Sequence, residues 1–312
     1  MARFLDVGQC GCTGWFSRRA GMEALLLLFL LSAAVALWPR IAWANPDTGN
    51  AEELLAKGWA EFGQHNVAAY VRAYDLFQKA ESAGPNNPDV HTALAYVYWR
   101  AYEETWTNQI DVGFSEARRL AESHIDDALQ APSARTYEVD CRLNTFRTKY
   151  EDALEACRRA IALDDHDAEI RHATALTYIY MGKPDKALEQ VQVARRLAPD
   201  MEGYHGLYAG MAHFFAGDMA SAVAALDAAI NANPKLWSLE GDWRAALCHP
   251  CIFKIAALAQ LDRLQEAKMI VDALMESHFG FQVSRELYFR PLAREQDVLR
   301  LRSGLLKAGL PE

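Results

Sequence analysis

The sequence is poor in several features that define other protein classes. Its 312 residues include only 11 prolines and six cysteines, while 51% of them are hydrophobic, which argues against a disordered chain. Basic charge is also scarce. The formal charge is −9, and because residues 1–44 hold four arginines and two acidic residues, the remainder carries −11. A chain this acidic is repelled by phosphate backbones, so no nucleic-acid partner is expected.

No apolar run is long enough for an ordinary membrane span. The longest covers residues 24–38, fifteen residues, whereas a spanning helix needs about 20. Arg18 and Arg19 precede it, and residues 42–44 (Ala-Trp-Ala) have the form of a cleavage site. Residues 1–44 are therefore predicted to be a bacterial signal peptide that sends the protein to the periplasm or outside the cell. The alternative is an uncleaved anchor in the inner membrane, with the body facing the periplasm.

Alternating valine- and isoleucine-rich runs are missing after residue 45, and apolar residues recur at steps of three and four. The predicted class is therefore all-α. One pattern recurs: alanine, three residues, a bulky residue, two residues, alanine, four residues, proline. Complete copies are Ala73/Phe77/Ala80/Pro85, Ala187/Val191/Ala194/Pro199 and Ala222/Leu226/Ala229/Pro234, and variant copies begin at Ala121, Ala153 and Ala267.

The leading alanines are 48, 32, 34, 35 and 45 residues apart, and the middle three spacings match the 34-residue tetratricopeptide repeat, a pair of antiparallel helices. On this pattern the chain resembles the tetratricopeptide repeat family. The resemblance implies a right-handed superhelical solenoid of about six helix pairs over residues 45–281. The long spacings place insertions near residues 100–116 and 236–246, and residues 282–312 are expected to form a C-terminal capping segment.

A second resemblance concerns the C-terminal end. Residues 257–267 (Ala-Leu-Ala-Gln-Leu-Asp-Arg-Leu-Gln-Glu-Ala) and the tail 304–312 (Gly-Leu-Leu-Lys-Ala-Gly-Leu-Pro-Glu) are similar to the repeat tails of some bacterial class III adenylate/guanylate cyclases. The catalytic and transmembrane parts of those proteins have no counterpart in this sequence. The similarity therefore implies common descent of the repeats and not cyclase activity.

In the tetratricopeptide family the first helix of each repeat lines a concave groove that holds a peptide or a partner's surface. Carried over by repeat phase, the groove residues are Tyr96, Trp99, Arg100, Arg142, Phe146, His172, Tyr180, Tyr204, Met211, Phe214 and Phe215. Aromatic residues and arginine carry much of the energy of protein interfaces. The resemblance thus implies a non-catalytic scaffold or adaptor with a protein or peptide partner. Alternatively, several of these side chains pack between repeats.

Four cysteines follow the predicted signal. Cys248-His249-Pro250-Cys251 opens a first helix by repeat phase, and the pair is a candidate disulfide, as expected in an oxidising compartment. The alternatives are a redox-active or redox-sensing thiol pair favoured by the helix dipole, and a metal site that lacks two further ligands. Cys141 and Cys157 belong to the two helices of one repeat. They either bridge or act as small core residues, and the core interpretation is favoured.

Signals for catalysis and for metal binding are also missing. Residues 164–167 (Asp-Asp-His-Asp) fall at a turn between repeats, where solvated acidic residues are ordinary, so no metal site is predicted. No nucleophile elbow, phosphate-binding loop or HExxH motif occurs. The sequence therefore predicts no enzyme and no cofactor. The alternatives to a scaffold are a thiol–disulfide redox protein and a regulatory subunit of a membrane sensor or cyclase.

Overall fold

The computed structural model describes residues 50–234, 237, 248–278 and 280–312. The predicted signal at 1–44 lies outside these residues, as does the predicted insertion at 236–246 apart from Trp237. Within the described part every regular element is helical, and no helix there has both the length and the apolar content to cross a membrane. The division of the chain at residues 44 and 281 stays a prediction.

The described residues form six antiparallel helix pairs followed by two further helices. The pairs are α1 (Ala51–Phe62) with α2 (Val67–Ala83), α3 (Pro88–Glu103) with α4 (Phe114–Ala128), α5 (Ala134–Phe146) with α6 (Tyr150–Leu163), α7 (Ala168–Tyr180) with α8 (Pro184–Leu197), α9 (Glu202–Ala216) with α10 (Met219–Ala232), and α11 (His249–Gln260) with α12 (Leu264–Ser277). Helices α13 (Val283–Tyr288) and α14 (Glu295–Lys307) follow. The predicted all-α superhelical fold of about six pairs is confirmed.

The repeat alanines lie where the two helices of each pair touch. All six leading alanines are fully buried: Ala73, Ala121, Ala153, Ala187, Ala222 and Ala267. In the fifth pair the helices approach so closely that a Cβ atom added to Gly206 would lie 2.6 Å from the carbonyl oxygen of Ala225. Small side chains at these positions therefore set the distance between paired helices.

Several first helices begin at a side chain that caps them. Asn50, Asn87 and Asp167 each accept a hydrogen bond from the backbone nitrogen two residues ahead. Ser133 forms a capping box with Thr136 at the start of α5. Asp167 also pairs with Arg135 at 2.9 Å. The acidic turn at residues 164–167 thus supplies a helix cap and an ion pair between repeats.

The superhelix winds far enough for distant repeats to meet. The loop before α2 contacts the fifth pair, where the His65 ring lies 5.2 Å from the Tyr204 ring and Asn233 donates to the His65 carbonyl. The sixth pair reaches the second, because the Nε2 atom of His249 lies 3.0 Å from the Glu103 carbonyl oxygen. The first helices therefore face an interior that their own repeats enclose.

Candidate functional site

The predicted groove residues lie on this enclosed interior. Ten of the eleven are no more than 2% exposed: Tyr96, Trp99, Arg100, Arg142, His172, Tyr180, Tyr204, Met211, Phe214 and Phe215. Phe146 alone is partly exposed. Repeat phase correctly places all eleven on first helices, but it does not reveal that other segments cover them. Their role in binding a partner stays a prediction.

Two buried arginines organise the centre of this interior. The Arg142 guanidinium donates from Nε to Glu138 at 2.7 Å and from Nη2 to the Glu169 carboxylate at 2.8 Å. The Arg100 guanidinium donates to Glu104 at 3.1 Å, and its Nη2 atom lies 3.5 Å from the same Glu169 carboxylate. Buried charges are tolerated when they are paired and hydrogen-bonded in this way. Glu169 thus links the second and third pairs to the fourth.

Aromatic rings surround both guanidinium groups. The guanidinium carbons (Cζ) of Arg100 and Arg142 lie 5.3 and 5.0 Å from the Trp99 ring centre. The Arg100 Cζ atom also lies 4.9 Å from the Tyr204 ring centre. The Tyr96 hydroxyl donates to Glu138 at 3.0 Å. Cation–π attraction is strengthened by exclusion of water. In the structure these residues form an ionic and aromatic core rather than an open groove.

Burial and pairing shift the protonation equilibria of the acids in this core. Burial raises the pKa of Glu104 to about 7 against the opposing charge of Arg100. Burial also acts to raise the pKa of Glu169, but the neighbouring His172 ring and the charges of Arg100 and Arg142 hold that pKa well below its usual range. Glu169 therefore remains the anion that the two arginines share.

Two segments outside the regular helix pairs close the interior. In the predicted insertion at 100–116, Trp106 is fully buried and stacks on Tyr70 with ring centres 5.6 Å apart. The second segment is residues 283–294, here called the C-terminal strap. Its Ala293 nitrogen donates to the Tyr180 carbonyl oxygen, and its Pro291 carbonyl accepts from the Tyr150 hydroxyl.

An open cleft of about 590 Å³ lies between the strap and the insertion. Its aromatic lining is Tyr102, Phe114, Phe146, Tyr288 and Phe289, and its charged lining includes Arg118, Arg119 and Glu122. Tyr288 is 84% exposed, which is unusual for a large aromatic side chain. Sequence reasoning missed the strap aromatics because they lie beyond the repeats. The sequence did contain one signal for them, since Tyr288 and Phe289 are adjacent aromatic residues in a C-terminal segment that is otherwise rich in charge.

The four cysteines within the described residues form two disulfides. Cys248 and Cys251 are joined, as are Cys141 and Cys157. The preference for Cys141 and Cys157 as unbonded core residues is wrong, because their paired helices bring the Cα atoms to 5.3 Å, within the range of a bridge. All four disulfide-bonded cysteines are at most 3% exposed, so a thiol reagent has little access to either disulfide.

Comparison with known proteins agrees with the helical architecture. No protein-family profile matches the chain. The mouse protein "Superkiller complex protein 3" is 27% identical over 260 residues, which is 75% of this chain, and the chain spans 16% of that protein's length. Among solved structures, the APC/C hetero-tetramer Cut9–Hcn1 has a TM-score of 0.50 at 14% identity, covering 89% of this chain and 46% of that one.

A tetratricopeptide repeat protein from Parabacteroides merdae has a TM-score of 0.43 at 12% identity, covering 83% of this chain and 98% of that one. The six helix pairs and the buried repeat alanines define the architecture, and the likeness to the Cut9–Hcn1 structure agrees with it. The fold is tetratricopeptide-repeat-like. At these identities the likeness concerns the fold alone.

Proposed function

We propose that the protein is an exported, non-catalytic scaffold that binds a protein or peptide partner in the periplasm. The repeat architecture supports a binding role, since solenoids present extended surfaces and need no chemistry of their own. The apolar run at 24–38, with its preceding arginines and following Ala-Trp-Ala, supports export. Anchoring of residues 1–44 in the inner membrane would leave the body in the same compartment.

The observation that carries this proposal is the aromatic cleft beside the C-terminal strap. Phe146 belongs to the predicted groove and lines this cleft, which supports a binding surface at the edge of that groove. Tyr288 and Phe289 offer an anchor of the kind found at the centre of interfaces. A partner would insert an apolar side chain among these rings. An acidic neighbour in the partner would compete for Arg118 and Arg119 with Glu122 and Glu116, which lie 3.1 and 3.2 Å from them. Contact with the ten buried groove residues would require the strap to move.

Site-specific photo-crosslinking tests this surface. A photoreactive phenylalanine analogue placed at position 288 should capture a partner from the periplasmic fraction. The same analogue at Met269, which is 74% exposed on α12, should not. Tyr288→Ala should weaken binding of the captured partner by about 1–4 kcal/mol, and Met269→Ala should leave it unchanged. Equal capture from both positions would contradict the proposal.

Two alternative functions can be distinguished from the scaffold by direct measurements. A thiol–disulfide redox role would use Cys248 and Cys251, and mass spectrometry of the exported protein after glutathione treatment tests it, since an unreacted bridge excludes exchange. A regulatory role beside a membrane sensor or cyclase is supported only by the similarity of residues 257–267 and 304–312 to cyclase repeat tails. Identification of the crosslinked partner tests that role.

A further inference from the structure

Three metal-ligating side chains converge where the first and second repeats meet. Glu81 lies in the last turn of α2, His91 in the first turn of α3 and His124 in α4. The Nδ1 atoms of His91 and His124 are 3.0 Å apart, and a Glu81 carboxylate oxygen is 4.0 Å from the His124 Nδ1 atom. One ligand atom from each residue lies within 4.8 Å of the other two. This cluster is separate from the buried core and from the cleft.

The second ring nitrogen of His91 is held in a way typical of a metal ligand. Its Nε2 atom lies 3.0 Å from the carbonyl oxygen of Pro85, in the turn between α2 and α3. A carbonyl can only accept, so the Nε2 atom carries the proton and the Nδ1 atom of neutral His91 keeps its lone pair. Histidines that bind metal usually donate their other ring nitrogen to a carbonyl or carboxylate. The turn therefore orients the His91 lone pair toward His124 and Glu81.

A second histidine pair in the protein serves as a comparison, because it lacks a third ligand within the part of the chain that the structure describes. His172 and His205 lie 2.9 Å apart, and both are fully buried. The carboxylate of Glu169 faces the Nδ1 atom of His172, whereas His172 meets His205 through Nε2. No third ligand atom among the described residues joins that nitrogen pair. In the first cluster, by contrast, a Glu81 oxygen lies 4.0 Å from the same His124 Nδ1 atom that faces His91, and all three residues are partly exposed.

We propose that Glu81, His91 and His124 bind one divalent transition-metal ion of the zinc class. Two imidazoles and one carboxylate suit Zn²⁺, and bonds of 2.0–2.1 Å in tetrahedral geometry would place the two nitrogens about 3.3 Å apart. The histidines need only a small adjustment from 3.0 Å, and the Glu81 carboxylate, 37% exposed, can rotate inward. Water would take the fourth position. Binding requires the hydrogen-bonding proton of His124 to move from Nδ1 to Nε2.

Such an ion would tie the last turn of α2 to α3 and α4, and so join the first repeat to the second. The chain passes from the first repeat to the second in the connecting turn after α2, which includes the three residues between Gly84 and Pro88. Because the metal binds the folded arrangement and not the separated helices, it should stabilise the native state. The metal would act as a structural link between the first and second repeats and would leave the cleft unchanged.

Titration of the purified protein with Co²⁺ and Zn²⁺ tests the site. Cobalt should give the visible absorption of a tetrahedral N/O complex at one equivalent, and Zn²⁺ should displace it and raise the melting temperature. His91→Ala and Glu81→Gln should each weaken binding by at least about 10–100-fold, the loss that changes to outer-shell partners alone produce. His166→Ala, at an exposed histidine beside Asp165, is the matched control and should bind normally.

Circular dichroism will show whether each variant keeps its helices, and Glu81→Gln guards against misfolding because that side chain is partly solvated. Binding that is equal in wild type, His91→Ala and Glu81→Gln would overturn the proposal. So would the absence of any cobalt spectrum or zinc-dependent shift in melting temperature in the wild-type protein. Loss of binding in His166→Ala but not in His91→Ala would move the site to the acidic turn and equally overturn it.

Discussion

The hydroxyl oxygens of Tyr70 and Tyr204 lie 2.8 Å apart, although 134 residues separate them in the chain. Both side chains are buried, so this contact joins the first repeat to the fifth within the enclosed interior. Tyr70→Phe and Tyr204→Phe should each lower the free energy of unfolding by about 0.5–1.5 kcal/mol. In a double-mutant cycle measured by chemical denaturation, the two losses should not add. Fully additive losses would show that the repeats do not touch here in solution.

Gly206 should tolerate no larger residue, because α9 and α10 touch at its backbone. A Cβ atom there would lie 2.6 Å from the Ala225 carbonyl oxygen and 2.8 Å from the Ala229 nitrogen. Gly206→Ala should therefore lower the free energy of unfolding by about 1–3 kcal/mol. Gly63→Ala is the control, since its nearest neighbour would be 3.5 Å away, and it should be neutral or slightly stabilising. Denaturant melts of both variants check the helix register; equal stabilities would refute it.

Arg142 should be essential for stability, whatever its role in binding. Arg142→Met leaves Glu138 buried without its 2.7 Å partner and removes one of the cations that hold Glu169 ionised. The expected loss is about 3–5 kcal/mol. Arg159→Met, at an exposed pair with Glu155, should leave the free energy of unfolding nearly unchanged.

Adding Glu138→Gln to Arg142→Met should recover part of the loss, because it removes the buried charge left behind. Urea unfolding of the single and double variants measures this recovery. An Arg142→Met protein as stable as wild type would show that the arginine is solvated, as an open groove would require.

His249 should make the protein lose stability in acid. Burial and the positive charge of Arg290 lower its pKa to about 3, and its two ring nitrogens face the Glu103 carbonyl and the Arg290 guanidinium. The unfolded chain binds a proton near pH 6.5, but the folded chain does not. This contribution to stability is therefore complete above pH 6.5 and is lost as the pH falls from there toward 3.

Unfolding measured at intervals between pH 7 and pH 4 checks this dependence. His249→Gln, which cannot be protonated, should show a shallower fall in the free energy of unfolding than wild type across that window. Parallel slopes for the two proteins would show that His249 titrates normally in the folded chain. Such a result would also mean that the contact between the sixth pair and Arg290 of the strap is not formed.

Local pattern was sufficient to predict the repeats. The alanine spacing identified the helix pairs, and the burial of Ala73, Ala187 and Ala222 follows from it because neighbouring helices must approach closely. Residues 164–167 do lie at the predicted turn between repeats, and the structure adds that Asp167 caps α7. These features depend on contacts within one repeat or between adjacent repeats, which lie a few tens of residues apart.

The sequence by itself therefore determined the fold class, the pairing of helices and which residues lie on first helices. Only the tertiary structure decided that those first helices face a closed interior, that Tyr70 meets Tyr204, and that Tyr288 lies exposed in a cleft that Phe146 also lines. The physical reason is that superhelical winding sums a small rotation at every repeat, so no single repeat encodes it. Contacts such as Tyr70 with Tyr204 therefore appear only once every intervening repeat is in place.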